Sequence, residues 1–199
     1  MRFNSDQIQK IGKEISSKVD GKTLFDEFSR GRYSTDASVY QIKPLGVVLP
    51  KDTNDVLSLM EYSQKNSVPL LARGGGSSQC GQTVGESVVL DYSKHQNKIL
   101  ELNVEEKYVW VQPGVVLDHL NAYLKPHGLW FPVDVSTSSR ATIGGMSANN
   151  SCGSRSLYYG NMVHNVLAIE AILDDGSIFN FDQINKNYLA TKNNHDRLY

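Results

Sequence analysis

Residues 69–82 read PLLARGGGSSQCGQ. An apolar run and Arg73 lead into Gly74, Gly75 and Gly76, and Ser77 and Ser78 follow. Glycine reaches positive φ at little steric cost, so successive N–H groups can turn to one side and form a nest for an anion. Missing side chains let a phosphate come close, and the serine hydroxyls add donors. A plain flexible turn has the same composition, so the triplet alone leaves both readings open. The spacing does exclude two common phosphate loops. No Gly-Lys-Ser/Thr follows, as a Walker A loop requires, and no glycine stands at the spacing of the Rossmann dinucleotide fingerprint.

A second stretch of the same character is residues 132–160, PVDVSTSSRATIGGMSANNSCGSRSLYYG. It is rich in Ser, Thr, Gly and side-chain amides, with few large apolar residues. A stretch this long without strands of its own points to ligand binding in a compact domain. Small hydroxyls, amides and accessible N–H groups suit an anionic or heteroaromatic ligand where no cation cluster exists. Ile143-Gly144-Gly145-Met146 reads as the start of a short helix whose N–H groups would add to an anion site.

Single residues carry less. Arg73 suits either a phosphate contact or bracing of the glycine loop. Asp134 suits either a polar ligand contact or a turn. Cys80 and Cys152 read as small packed residues rather than redox thiols. His95, His119, His127, His164 and His195 are scattered without metal-ligand spacing, so no metal site is expected. Glu105-Glu106 reads as a solvated turn.

The elements that must position these stretches show in the hydrophobic pattern. Ile8, Ile11, Ile15 and Val19 recur at helical spacing near the start, and Ser29 to Ser38 reads as loop. Gly46 to Pro50 is a short buried strand. Residues 52–55 offer helix caps, with Val56, Leu57, Met60 and Tyr62 following, and Val68 to Ala72 returns as a strand. A crossover helix between two short apolar strands predicts a βαβ unit with the strands paired in parallel. Ser87 to Asp91 is a third strand. Ile99–Leu102 and Tyr108–Val111 form a hairpin, Val116 to Leu124 a helix stopped by Pro126 and Gly128, and residues 166–173 and 178–181 a second hairpin about Asp174-Asp175-Gly176-Ser177. The first glycine stretch therefore sits at a strand's carboxyl end, where ligands bind in open α/β sheets.

Composition sets outer bounds. The chain has 199 residues with Lys+Arg 20 against Asp+Glu 21, a net charge of −1, and 40% hydrophobic residues. This is enough for a core, and it lacks the basic footprint of a nucleic-acid binder. No run is long and apolar enough for a transmembrane span, and the polar start has no signal-peptide core. Two cysteines cannot build a disulfide scaffold or a four-thiolate site, which predicts a cytoplasmic protein with reduced thiols.

Taken together and in order, the motifs resemble the FAD-binding (PCMH-type) domain of the vanillyl-alcohol oxidase and p-cresol methylhydroxylase superfamily. They are Arg73 to Ser78, Gly81-Gln82, Val88 to Asp91, Val111 to Val115, Phe131 to Asp134, Ser138 to Gly153, Tyr159-Gly160 and the segment from Val166 to Leu173. The branch most resembled contains the GlcD-type component of glycolate oxidase, D-lactate dehydrogenases and D-2-hydroxyglutarate dehydrogenases. The resemblance implies that Gly74, Gly75, Gly76, Ser77 and Ser78 hold the FAD pyrophosphate, with Arg73 beside them and Gly81 and Gln82 continuing that wall. It implies that Pro113, Gly114, Pro132, Asp134 and Ser138 lie along the cofactor. Thr142, Gly144, Gly145, Asn149, Ser151 and Gly153 would wrap the flavin side, and Val166 and Ile169 would approach the adenine. It implies oxidation of a small-molecule 2-hydroxy acid such as lactate, glycolate or 2-hydroxyglutarate, without identifying a catalytic base.

Two departures qualify it. Some superfamily members attach FAD through a histidine just after the glycine turn; Ser77 stands there, so non-covalent FAD is expected. The chain also stops soon after Phe181, so it reads as an N-terminal fragment without the substrate domain or any iron–sulfur domain. The expected fold is α+β in two subdomains with FAD between them: a small parallel β-sheet with helices, and an antiparallel β-sheet with helices. The expected divisions are 1–32 as a helical lead-in, 33–95 and 96–182 as the subdomains, and 183–199 as a polar tail of frayed helix or disordered chain. An incomplete second sheet would leave an edge open, making a homodimer conceivable.

Overall fold

The computed structural model describes residues 3–182. The chain packs as two compact units, Met1–Asn165 and Val166–Tyr199. The first unit opens on α1 (Ser5–Ser16), whose N-terminus is closed by a capping box: Gln7 N donates to Asn4 Oδ1 and Asn4 N donates to Gln7 Oε1. Its buried face is Ile8, Ile11 and Ile15, as the spacing predicts. A three-residue strand, β1 (Lys22–Leu24), and a helix, α2 (Glu27–Arg32), come next. Both correct the reading of this segment as helical lead-in and loop. Asp26 caps α2 by accepting from Ser29 N. The inward face of α2 carries Arg30, buried with Nε donating to Pro44 O at 2.8 Å, instead of an apolar side chain. Apolar periodicity could not reveal such a helix.

β2 (Gly46–Leu49), α3 (Thr53–Asn66), β3 (Leu70–Arg73) and β4 (Val88–Asp91) complete the sheet, in the order β1-β2-β4-β3. Asp52 caps α3, and Val56, Leu59 and Tyr62 are buried. β2 and β3 do not pair with each other as the βαβ reading has it. Each runs parallel to β4, which lies between them. All four residues of β4 are buried, so it takes the centre. β3 is only partly buried and follows Pro69, which suits an edge because proline cannot donate to a ladder. β1 pairs antiparallel with β2, so the sheet is mixed rather than parallel. Val47, Leu49 and Val89 form the core on one face, with Leu24, Tyr33 and Leu71 against them.

β5 (Ile99–Asn103) and β6 (Tyr108–Val111) pair as the predicted hairpin. α4 (Leu117–Leu124) buries Leu117, Leu120 and Leu124. Leu120 and Leu124 pack with Val115 against Ile99, Val109, Val111 and Phe131. A 3₁₀ turn and Gly128, at φ +68°, end the helix. The long polar stretch is broken by α5 (Ile143–Ala148) and α6 (Ser156–Tyr159), and α7 (Met162–Asn165) follows it; of these, only α5 is legible in the sequence.

In the second unit, β7 (Ile169–Ile172) and β8 (Ile178–Phe181) form the other predicted hairpin, with Gly176 at φ +82° in its turn. Among the described residues, the strands of 96–182 all pair antiparallel, as two hairpins. The polar tail expected over 183–199 lies outside the described residues. No helix among the described residues is long and apolar enough to cross a membrane.

Candidate functional site

The loop after β3 is held from below by Arg73. Its Nη1 donates to Thr83 O at 3.1 Å and its Nη2 to Thr35 O at 2.8 Å, while the guanidinium lies 5.2 Å from the Tyr33 ring centre. Of the two readings of Arg73, the structure supports bracing. Gly76 has φ +63°, and a Cβ there would sit 2.5 Å from Arg73 Nη2, so only glycine lets the loop close over its own brace. Asp36 ties the far side of the loop, accepting from Thr83 Oγ1 at 3.1 Å. Burial works against the Asp36 charge, but bonds from Ser38 and Thr83 outweigh it and hold the carboxyl below its usual range.

Gly74 and Gly75 are small for a different reason. A Cβ on Gly74 would lie 2.1 Å from Thr142 Oγ1, and one on Gly75 would lie 2.1 Å from the Arg140 carbonyl oxygen. The two glycine-rich stretches thus meet backbone to backbone. Gln82 Nε2 also donates to Asn149 Oδ1 at 2.9 Å, joining them a second time. Among the described residues, no N–H of residues 74–78 donates to a protein acceptor. Five successive donors are therefore free beside this contact. The Ser77 hydroxyl has no partner among the described residues. The Ser78 hydroxyl differs from expectation: it donates to Gln82 Oε1 at 2.8 Å and accepts from Cys80 N at 3.1 Å, so it serves the turn.

The 138–145 segment is pinned along its length. Leu117 N donates to Ala141 O at 3.0 Å and Asp118 N to Ser138 O at 3.2 Å. The expected contribution of the α5 N–H groups to an anion site is not available. Ile143 N donates to Val115 O at 2.8 Å, Gly144 N to Pro113 O at 2.9 Å, and Gly145 N to the capping Thr142 Oγ1 at 3.4 Å. Pro113 is thereby a support for α5, and a Cβ on Gly144 would lie 2.5 Å from Pro113 Cβ. Gly114 is compressed against the Tyr92 and Gln96 carbonyls.

Asp134 acts on its own chain. Oδ1 accepts from Arg155 N at 3.0 Å and Oδ2 from Ser154 Oγ at 2.7 Å, with Arg155 Nε at 3.6 Å. The Arg155 N–H first, and the Ser154 hydroxyl next, hold its carboxyl below the usual carboxylate value. Gly153 fits only because a Cβ would lie 2.2 Å from the Asp134 backbone oxygen. Ser151 is fixed through its backbone: its N donates to Met146 O at 2.9 Å, and its O accepts from Met162 N at 3.0 Å. Pro132 is half-buried beside this turn. Cys80 and Cys152 are free and exposed, which corrects their reading as packed residues; both stand in irregular chain between regular elements. Val166 and Ile169 lie in the second unit.

A cleft of about 420 Å³ opens at the carboxyl ends of β3 and β4. Its walls include Gly74, Gly75 and Arg73, but also Arg32, Tyr33, Asp91, Ser93, Ser139 and Arg140, which the sequence reading does not single out for a site. Asp91 is buried; it accepts from Tyr33 Oη at 2.7 Å and from Ser93 N at 2.8 Å. Burial first, then the bond to Asp91, pushes the Tyr33 phenol up to about 12. The one available signal was position: Asp91 ends an apolar strand that runs to the same sheet edge as Arg73.

A mixed sheet with a glycine loop lining a cleft at its carboxyl edge, held by a second glycine-rich segment, fits a nucleotide-cofactor domain. The family model described as "FAD binding domain" matches residues 44–182, and the chain belongs to that family, whose cofactor is FAD. Similar proteins include the D-2-hydroxyglutarate dehydrogenase of Haemophilus influenzae, 42% identical over 155 residues, which cover 76% of this chain and 15% of the relative. Another is the glycolate oxidase subunit GlcD of Bacillus subtilis, 37% identical over 176 residues, or 86% of this chain and 37% of the relative. The chain thus spans well under half the length of either. Among solved structures, Physcomitrella patens BBE-like 1 (variant D396N) superposes with TM-score 0.75 at 19% identity, covering 89% of this chain and 39% of that one. The 6-hydroxy-D-nicotine oxidase of Arthrobacter nicotinovorans superposes with TM-score 0.74 at 16% identity, covering 86% and 38%. At these identities the likeness is one of fold. The residues present fit the cofactor: five successive N–H donors without protein acceptors among the described residues stand where Gly74, Gly75 and Gly76 carry no side chains.

Proposed function

We propose that this chain is the FAD-binding portion of a flavin-dependent dehydrogenase that oxidises a D-2-hydroxy acid of the lactate, glycolate or 2-hydroxyglutarate type. The observation that carries the reading is the contact of Gly74 and Gly75 with Thr142 and Arg140, beside five unpartnered N–H groups. Relatives named as a D-2-hydroxyglutarate dehydrogenase and a glycolate oxidase component support the substrate class. When bound, FAD supplies the two-electron acceptor chemistry that protein side chains lack.

The chain's own residues bind and orient it. The N–H groups of residues 74–78 and the Ser77 hydroxyl take the diphosphate. Gly81, Gln82 and Asn149 close the wall beside them, with Gln82 and Asn149 linked to each other. Pro113, Gly114, Thr142, Gly144 and Gly145 act as scaffold, holding α5 and the segment before it in place. Asp134, Ser151 and Gly153 shape the following turn. We assign non-covalent attachment because a serine, not a histidine, stands at position 77. Two unbridged, exposed thiols support a cytoplasmic location.

Near-ultraviolet and visible absorbance of freshly purified protein, before and after denaturation and filtration, tests this reading. Flavin bands that pass the filter are expected. Bands retained on the polypeptide would sink the non-covalent assignment, and absence of flavin even after soaking with FAD would sink the cofactor role of this chain. Bleaching of the bands by D-2-hydroxyglutarate, D-lactate or glycolate tests the substrate class separately.

A further inference from the structure

The cleft at the carboxyl ends of β3 and β4 is lined by three arginines, Arg32, Arg73 and Arg140, and by one acidic residue, Asp91. Two of these four charges already have partners. Arg73 donates to the carbonyls of Thr35 and Thr83. Asp91 has its oxygens occupied by Tyr33 Oη and by Ser93.

Arg32 and Arg140 are exposed, and among the described residues neither is paired with a carboxylate. Arg32 extends from the last turn of α2, with its guanidinium 5.9 Å from the Phe28 ring centre. Arg140 is anchored at its backbone. Its N donates to Thr137 O at 2.8 Å, and its carbonyl packs on Gly75. The main chain of one exposed arginine is therefore fixed beside the glycine loop, and a second exposed arginine lines the same cleft from α2. The cleft shares Gly74 and Gly75 with the free N–H groups. Forked, planar guanidinium groups match phosphate oxygens in pairs and bring a positive charge that backbone N–H donors lack.

We propose that Arg32 and Arg140 form a two-arginine clamp on this cleft that binds the diphosphate of the cofactor, adding charge to the neutral donors of residues 74–78. The inference rests on the FAD reading above and assigns two residues that the glycine motif does not include. Asp91 is the single opposing charge in the cleft, and Tyr33 and Ser93 already engage it.

The test uses the 199-residue chain stripped of flavin, with Arg32→Gln, Arg140→Gln, the double variant and Arg140→Lys. FAD and riboflavin are titrated by fluorescence quenching, and inorganic pyrophosphate is added as a competitor to each FAD complex. Thermal melts check that every variant folds. Each glutamine variant is expected to bind FAD about tenfold more weakly, and the double variant about a hundredfold. Riboflavin affinity stays constant, Arg140→Lys recovers part of the loss, and pyrophosphate competes less well in the double variant than in the wild type. Unchanged FAD affinity in folded variants overturns the clamp and leaves the FAD reading standing. Equal losses for FAD and riboflavin overturn it as well, since phosphate recognition would then not be what was removed. A wild-type chain that binds no FAD overturns both.

Discussion

Replacing Gly75 with alanine is the sharpest probe of how the two glycine-rich stretches make one site. The added Cβ would lie 2.1 Å from the Arg140 carbonyl oxygen and 2.8 Å from its carbon. The obstacle is backbone, which Arg140 N and Ala141 N hold through bonds to Thr137 O, both 2.8 Å. No side-chain rotation can relieve it. The loop and the segment must part by roughly an ångström, at a cost typical of overpacking, about 1–3 kcal/mol. In a chain of this size, that lowers the melting temperature by a few degrees without unfolding the protein. FAD binding should suffer more. Moving the loop by that distance misaligns the free N–H groups of residues 74–78, and losing two charge-assisted bonds weakens binding by about a hundredfold. Thermal melting and flavin fluorescence titration on the same preparation measure both. Gly75→Ala protein with wild-type melting and wild-type FAD affinity would refute the claim that this contact builds the site.

Three further outcomes follow from the same geometry. Gly31→Ala should leave the fold intact and stabilise it by about 0.5 kcal/mol, read as a small rise in melting temperature, because a Cβ there meets nothing within 4 Å and alanine favours α2. Asp134 has a folded-state pKa below its ordinary 3.8, set first by the Arg155 N–H. The stability it lends is therefore present above that value and lost as pH falls through the lowered one. Melting temperature should drop less steeply on acidification in Asp134→Asn than in the wild type, and parallel curves would count against the Asp134 turn. Tyr33 titrates near 12 against an ordinary 10.0, so its contribution is complete below pH 10 and fades as pH rises toward 12. Tyr33→Phe should cost about 1–2 kcal/mol at neutral pH by leaving buried Asp91 one donor short, and a tyrosinate difference spectrum against the wild type should show the late-titrating phenol missing.

Much of this molecule was legible from the chain alone. Period-2 and period-3.6 patterns located α1, α3, α4, β2, β4 and both hairpins, because each buries a regular apolar face that its own sequence must carry. The glycine triplet and the long Ser/Thr/Gly stretch stood out as candidate site segments, and the structure brings the two into contact at Gly74 and Gly75. Other features depended on partners distant in sequence. α2 was hidden because its inward residue is Arg30, which becomes tolerable inside only once Pro44 O is there to accept from it. β4 displaced β3 from the expected pairing with β2 because pairing order depends on how completely each strand is buried. The hydrogen-bond partners of individual residues also depended on the fold. Ser78 and the first N–H groups of α5 read as ligand donors, and Arg73 as either a phosphate contact or a brace, until folding supplied all of them with protein acceptors. Arg140 was not singled out within its stretch, because its contact with Gly75 exists only in the fold. Composition and period are local properties that a sequence displays. Whether a given donor is free or taken depends on what the fold brings within about 3 Å of it, and that is decided only in the tertiary structure.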